Sequence, residues 1–234
     1  HELLHRTVDY LWDAASYHQQ GNVLTSVSIQ GQEVQLEQTF AGDYVTEPLQ
    51  MDMTMTQSQE AITQDIRMVL LPEGEGHRMY LSDGTSGSWV TYAMTAAQLE
   101  AEGFGSDPMN ELLKNLPADS TVAYRDVPAS AETNEEDAIE FTIELPAAAI
   151  TEIVSSSTGG AVSSFEGTGT MVYLVAADDG QPFRSTVTIE GVMTTMGESG
   201  DFRTTNESVF SNWNEITEIT VPAEAAGATE IPMP

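Results

Sequence analysis

The chain has 234 residues, of which 40% are hydrophobic, so it is long enough to bury a substantial core. It contains 37 Asp and Glu against 7 Lys and Arg, which gives a formal net charge of −30 at pH 7. Such a charge repels phosphates, which argues against a nucleic-acid partner and against a membrane surface recruited through basic residues. Cysteine is absent, which excludes disulfides, thiolate catalysis and Cys-ligated metal centres.

The first predicted element is an amphipathic helix over residues 2–19. Apolar residues recur there at three- and four-residue steps, which is the spacing of one helix face. The residues of this stripe are Leu4, Val8, Leu11, Trp12 and Ala15. Gly21 is the predicted stop signal.

The chain begins with HELLH, which matches the H-E-x-x-H signature of zinc peptidases. The spacing puts His1 and His5 on one side of a helix. A catalytic zinc site also needs a third protein ligand and a substrate cleft, and HELLHRTVDYLW lacks the Gly and third His of the extended signature. The motif therefore favours a helix N-terminus that contains histidine. A zinc peptidase is kept only as a remote hypothesis, and no metal or cofactor is expected.

From Asn22 to Met94 the hydrophobic pattern changes to a period of two, which is typical of strands. About six short strands joined by tight turns, one of them at Gly31-Gln32, predict an antiparallel meander. In the stretch LQMDMTMTQ, apolar and polar residues alternate, and the next strand continues the pattern. The apolar residues that we expect on the inner face are Leu49, Met51, Met53, Met55, Ile66, Met68 and Leu70.

Two interpretations of this methionine-rich face stay open. The chain has 11 methionines, and the first interpretation is that they fill an ordinary packed core. The second is that flexible, polarizable thioethers line a surface that accepts variable apolar ligands. Both interpretations put the seven residues on the inner side of the sheet, and the second makes them the candidate ligand-binding residues.

Two helices are predicted between the early strands and the later ones. Thr95 and Gln98 have the spacing of a capping box, which predicts a helix that ends at Gly103. Asp107 is a predicted N-cap for a second helix that ends before Pro117.

Strands predominate in the second half of the chain. The alternation predicts strands at 122–127 and at 139–145, with a short helix beginning at Pro146. Three long strands follow, with predicted turns at Asp179-Gly180 and Ser199-Gly200. The composition of residues 222–234 is typical of a flexible tail.

This order of elements resembles the LolA/LppX-like superfamily of cell-envelope lipoproteins. The resemblance rests on the first helix ending in AASYHQQGNV, the methionine-alternating strands, MYLSDGTSGSWVTY and the helices between later strands. It covers residues 2–221 and implies an unclosed half-barrel sheet wrapped over helices, with lipid or lipoprotein carried between sheet and helices. It also implies export and tethering through a lipidated N-terminal Cys, which would have to lie upstream of residue 1.

The combined prediction is an α+β fold with a large curved antiparallel sheet of about ten strands, in a single domain over 1–221 with a tail over 222–234. The first functional hypothesis is a non-enzymatic, extracytoplasmic binding protein that holds a lipid or other apolar ligand. The second is a structural or interaction module of the cell envelope with a filled core. The expected partners are therefore an apolar small molecule, no nucleic acid, and a membrane only through an upstream lipid anchor.

Overall fold

The structure is a computed structural model, and it describes residues 2–84, 86–101, 113–114, 116, 120–145, 147–157, 162–195 and 197–232. The helices named below are α1 (Glu2–Asp13), α2 (Ala96–Ala101), α3 (Ala147–Ser157) and two 3-10 turns, Ala131–Thr133 and Ala223–Gly227. The strands of the first half are β1 (Ser16–Ile29), β2 (Gln32–Val45), β3 (Gln50–Gln59), β4 (Ile62–Glu73), β5 (Gly76–Ser82) and β6 (Trp89–Met94). Those of the second half are β7 (Thr121–Val127), β8 (Ala138–Leu145), β9 (Val162–Ala176), β10 (Pro182–Thr195), β11 (Glu198–Ser211) and β12 (Thr229–Glu230).

Twelve strands form one sheet in the order β12-β6-β5-β4-β3-β2-β1-β11-β10-β9-β8-β7. Neighbouring strands from β3 to β6 and from β7 to β11 pair antiparallel, whereas β12 pairs with β6 in parallel. The order has two ends and does not close within the described residues. The described chain is therefore mainly β, with more strands than the expected ten and less helix than an α+β fold implies.

Helix α1 is shorter than predicted, because the helix expected over 2–19 ends at Asp13 and β1 begins at Ser16. Leu4, Val8 and Leu11 of the predicted stripe are buried on α1, together with Thr7. Trp12 and Ala15, which the stripe also included, are exposed, and Ala15 lies beyond the end of the helix at Asp13. Beyond Asp13 the backbone bonds to distant residues instead. The Asn214 N–H donates to the Ser16 carbonyl at 2.8 Å, and the Thr46 N–H donates to the Ala15 carbonyl at 3.0 Å.

Two predicted turns are shifted along the chain. The β1–β2 turn is Gln30-Gly31, with φ of 54° and 80°, rather than Gly31-Gln32. Gly197, with φ of 85°, lies between β10 and β11, so the turn predicted at Ser199-Gly200 is wrong. Gly200 lies inside β11, where a Cβ atom would come within 2.5 Å of the Ser28 carbonyl oxygen. The glycine is therefore needed for close strand approach rather than for a turn.

The capping box predicted at Thr95 and Gln98 is confirmed. The Thr95 N–H donates to Gln98 Oε1 at 2.8 Å, and the Gln98 N–H donates to Thr95 Oγ1 at 3.3 Å. Helix α2 follows directly and is described to Ala101. Its predicted end at Gly103, and most of the helix predicted between Asp107 and Pro117, lie outside the described residues.

The chain divides into two compact units, and β1, β2 and β11 contribute residues to both. The first unit contains residues 1–12, 22–37 and 108–209, and the second contains 13–21, 38–107 and 210–234. In the first unit α3 packs on β9, where a Cβ atom on Gly169 would lie 3.0 Å from Ile150. Ile143, Ile150 and Met171 are each 0% exposed, so this face of the first unit is close-packed.

The C-terminal segment 212–232 packs on the sheet of the second unit, which differs from the flexible tail predicted for 222–234. Ala225 is 1% exposed in a cluster that contains Val69 and Trp89. The Ile219 N–H donates to Gln50 Oε1 at 2.9 Å. Strand β12 then pairs with β6, and the Ile231 N–H donates to the Thr91 carbonyl at 2.9 Å.

Candidate functional site

The structure brings the seven predicted residues together on one face of β3 and β4. The antiparallel register sets Met51 opposite Leu70, Met53 opposite Met68 and Met55 opposite Ile66. Leu49, one residue before β3, packs against the same group. We call these seven residues the methionine face. Period-two alternation on both strands was enough to predict it, because alternate side chains of a strand share a face.

One end of the methionine face is close-packed. Met51 is 5% exposed and Leu70 is 0% exposed, and both belong to a cluster with Met79, Met94 and Leu99. Leu99 comes from α2, so this helix covers the packed end. That end has the properties of ordinary core.

The other end of the methionine face is only half-buried. Met53 and Met68 pack against the cluster without being enclosed by it, and Met55 and Ile66 lie farther along the same strands. Polar groups reach two of the sulfur atoms: the Tyr44 hydroxyl donates to Met53 Sδ at 3.6 Å, and Gln38 Nε2 donates to Met55 Sδ at 4.0 Å. Thioether sulfur is a weak acceptor, so these contacts orient the side chains without fixing them.

An aromatic group continues from the half-buried end, and the sequence did not predict it. Tyr44 stacks on Tyr17 with ring centroids 4.9 Å apart. The ring centroids of Tyr17 and Trp213 are 5.3 Å apart. The ring centroids of Phe210 and Trp213 are 5.7 Å apart. The helix predicted over 2–19 includes Tyr17, which instead lies in β1. One sequence feature could have indicated that Tyr17 lies outside the helix: the apolar stripe ends at Ala15, two residues earlier.

The opposite face of β3 and β4 is covered by an ion pair and by the C-terminal segment. Arg67 donates two hydrogen bonds to Asp52, at 3.0 and 2.8 Å, and its guanidinium lies 5.9 Å from the Trp89 ring centroid. Val69 and Trp89 are buried there beneath the C-terminal segment, which contributes Ile219. The methionine face is therefore the side of β3 and β4 on which apolar atoms remain partly accessible.

One histidine lies on the packed side of the methionine face. His77 is opposite Met94 in the β5–β6 register, and its Nε2 is 3.1 Å from the Leu49 carbonyl oxygen. Its Nδ1 is buried and has no hydrogen-bond partner within the described residues. This contact holds the backbone at Leu49, where the chain enters β3.

The HELLH motif is only partly described, because His1 lies outside the described residues. His5 is exposed on α1. Glu2, which would be the catalytic base of a peptidase, pairs with Arg6 at 2.9 Å and keeps 85% of its side chain exposed. Over the described ranges, no three His, Asp or Glu side chains converge as a metal site. The arrangement at Glu2 is that of a solvated i,i+4 ion pair.

Sequence comparison with known proteins does not assign the chain to a family. No family model matches the chain, and no curated protein matches it. Among the described residues, no helix is long and apolar enough to span a membrane.

Three solved structures are similar to the chain at low TM-score. A beta-barrel-like protein of the domain of unknown function DUF1849 from Brucella abortus has a TM-score of 0.33 at 7% identity, covering 85% of this chain and 99% of that one. A DUF1329 family protein from Desulfovibrio piger has a TM-score of 0.28 at 9% identity, covering 94% of each chain. The MucA/MucB complex of Pseudomonas aeruginosa has a TM-score of 0.16 at 8% identity, covering 88% of this chain and 92% of the other. At these scores none of the three carries an argument, and the LolA/LppX-like resemblance stays a prediction.

Proposed function

We propose that the chain is a non-enzymatic binding protein whose methionine face holds a lipid or other apolar ligand. The observation that carries the proposal is the half-buried end of that face, where Met53, Met55, Ile66 and Met68 lie side by side in register. An apolar ligand laid there would remove the remaining apolar area from water, at about 25 cal/mol per Å². Thioethers repack around ligands of different shape, which suits them to such a site.

The proposal is limited to the half-buried end of the methionine face, because the packed end has no room for a ligand. Met51 and Leu70 are packed under α2, and the face that α3 covers in the first unit is close-packed. These packed regions favour the second hypothesis, a structural or interaction module with a filled core. The two hypotheses differ in whether the half-buried end binds anything.

The finer features of the proposal come from the resemblance. They are a half-barrel sheet, a position outside the cytoplasm in the bacterial cell envelope, and tethering through a lipid. A mainly antiparallel twelve-stranded sheet with few helices supports the first of these. The acidic composition is compatible with all three.

The test is Met53→Trp, with Thr54→Trp as its matched control. Both changes add an indole to β3, but the Thr54 side chain is exposed and alternates to the other face of the strand. Binding of the neutral fluorophore N-phenyl-1-naphthylamine and native mass spectrometry of co-purified lipid are the two measurements. The Met53→Trp variant should lose at least about tenfold in probe affinity, whereas the Thr54→Trp variant keeps the wild-type value.

Overpacking is the competing outcome. If the half-buried end is core, Met53→Trp should lower the free energy of unfolding by about 1–3 kcal/mol. That result, together with a wild-type protein that carries no lipid and binds no probe, would reject the binding proposal and favour the structural module.

A further inference from the structure

A second candidate site lies in the first unit, on a different set of strands. A groove of about 680 Å³ is lined by residues of β1, β2, β9, β10 and β11. Its volume falls in the range of small-molecule sites, which is about 300–1,000 Å³. The apolar ligand proposed for the methionine face does not suit it, because seven of its eleven lining residues are polar or charged.

The groove carries charges of both signs. The carboxylates are Glu33, Glu190 and Asp201, and the cation is Arg203. All four residues are exposed, and none of them is in an ion pair within the part of the chain that the structure describes. The hydroxyl groups of Ser26, Ser28 and Thr168 add neutral donors and acceptors to the lining.

The absence of an ion pair at Arg203 is unusual for this sheet. Arg203 lies directly opposite Glu190 in the β10–β11 register. Arg125 lies directly opposite Glu140 in the β7–β8 register, and that pair closes with hydrogen bonds of 2.7 and 2.9 Å. The closed pair holds the pKa of Glu140 below its usual value. Directly opposite residues have Cβ atoms about 4.5–5.5 Å apart, so the same pairing is within reach of Glu190 and Arg203.

The lining selects against simple ligand classes. A simple anion would meet three carboxylates in a chain with a net charge of −30. A simple cation would be attracted by the carboxylates but would leave Arg203 without a partner. A neutral saccharide would find no aromatic platform, because Phe202, the aromatic residue of the lining, is only 6% exposed. A ligand with both charges satisfies both sets of groups, since each pairing is a charge-assisted hydrogen bond.

We infer that this groove binds a small zwitterion that carries a primary ammonium group and an anionic group a few bonds apart. The ammonium group faces Glu190 and Asp201, and the anionic group accepts from Arg203. Val192, which is 43% exposed in the same lining, contacts the methylene groups between them. A free metabolite and the headgroup of a zwitterionic phospholipid share this chemistry.

The experiment is an NMR titration of the full chain with phosphoethanolamine, followed at the backbone amides of Thr168, Glu190, Val192 and Arg203. It is run at about pH 5, where the phosphate is a monoanion and phosphoethanolamine is a net-neutral zwitterion. Ethanolamine and inorganic phosphate, titrated separately, supply each charge alone. We expect saturable shifts with a Kd of about 1 mM or below for phosphoethanolamine, and at least about tenfold weaker binding of either half. Phosphatidylethanolamine in nonionic detergent micelles, compared with the micelles alone, distinguishes a lipid headgroup from a free zwitterion.

Two arginine variants give the matched control, because each removes one positive charge from the same sheet. Arg203→Gln should weaken phosphoethanolamine binding at least about tenfold, and Arg125→Gln should leave it unchanged. Three results would overturn the inference: no shift in the groove at about 20 mM phosphoethanolamine, equal effects of the two variants, or equal binding of ethanolamine alone.

Discussion

Met79 and Met55 lie on the same side of the second unit's sheet but differ in their surroundings. Met79 is 0% exposed in the cluster that α2 covers, whereas Met55 is half-buried beside Gln38. Truncation leaves a cavity only where neighbouring atoms enclose the side chain and cannot collapse into the space. The two residues therefore separate the packing role of methionine from its proposed binding role.

Met79→Ala should lower the free energy of unfolding by about 2–5 kcal/mol, as expected for a truncated core methionine. Met55→Ala should cost about 1 kcal/mol or less, because solvent already reaches the side chain. Urea denaturation of the two variants measures both values. Equal costs would mean that the half-buried end is enclosed as tightly as the packed end.

At the scale of elements, the C-terminal segment is the clearest departure from the sequence prediction. Its composition, PAEAAGATEIPMP, is typical of a flexible tail, yet residues up to 232 pack on the second unit. Arg78 pairs with Glu73 at 2.8 Å and with Glu230 of β12 at 3.5 Å. An exposed ion pair of this kind contributes about 0–1 kcal/mol, so the apolar contacts of Ala225 and Ile219 account for most of the attachment.

Ala225→Asp tests this attachment, with Ala226→Asp as the control. Ala225 is 1% exposed and Ala226 is exposed, so the two changes add the same charge to a buried and to a solvated position of one turn. The buried carboxylate should destabilise the protein by at least about 2 kcal/mol, whereas the control should change stability by about 0.5 kcal/mol or less. Thermal and urea unfolding measure the difference. If both variants unfold like the wild type, the segment does not contribute to stability.

At the scale of the whole molecule, the charge imbalance is the dominant property. The chain contains 7 basic and 37 acidic residues, so ion pairs can neutralise only a small part of the negative charge. The remaining carboxylates repel one another, and this repulsion weakens the compact state.

Salt should therefore stabilise the protein by screening. We expect a higher melting temperature at about 0.5 M NaCl than at about 0.01 M, where the Debye length is about 30 Å. KCl at the same ionic strength should give the same increase, because screening depends on ionic strength. A melting temperature that is unchanged or lower in salt would show that the carboxylates are too dispersed for repulsion to matter.

Local pattern predicted the methionine face and the start of α2. Alternation fixes which residues of β3 and β4 share a face, and Thr95 and Gln98 satisfy each other within one turn, so neither depends on distant residues. The burial of Leu4, Val8 and Leu11 on α1 follows from helical periodicity in the same way, whereas Trp12 of the same stripe is exposed. These features follow from interactions between residues near one another in the sequence.

Only the tertiary structure decided where the first helix ends, where the C-terminal segment lies and which opposite charges pair. Ala15 donates to Asn214 Oδ1 across 199 residues, which no local pattern contains. Residues 212–232 are held by Gln50 and β6 rather than by a periodicity of their own. Arg125 and Glu140 form an ion pair, whereas Arg203 and Glu190 do not, although the two residues of each pair are directly opposite in register. The reason is that such contacts depend on the neighbours that folding supplies, and a single strand's sequence does not specify them.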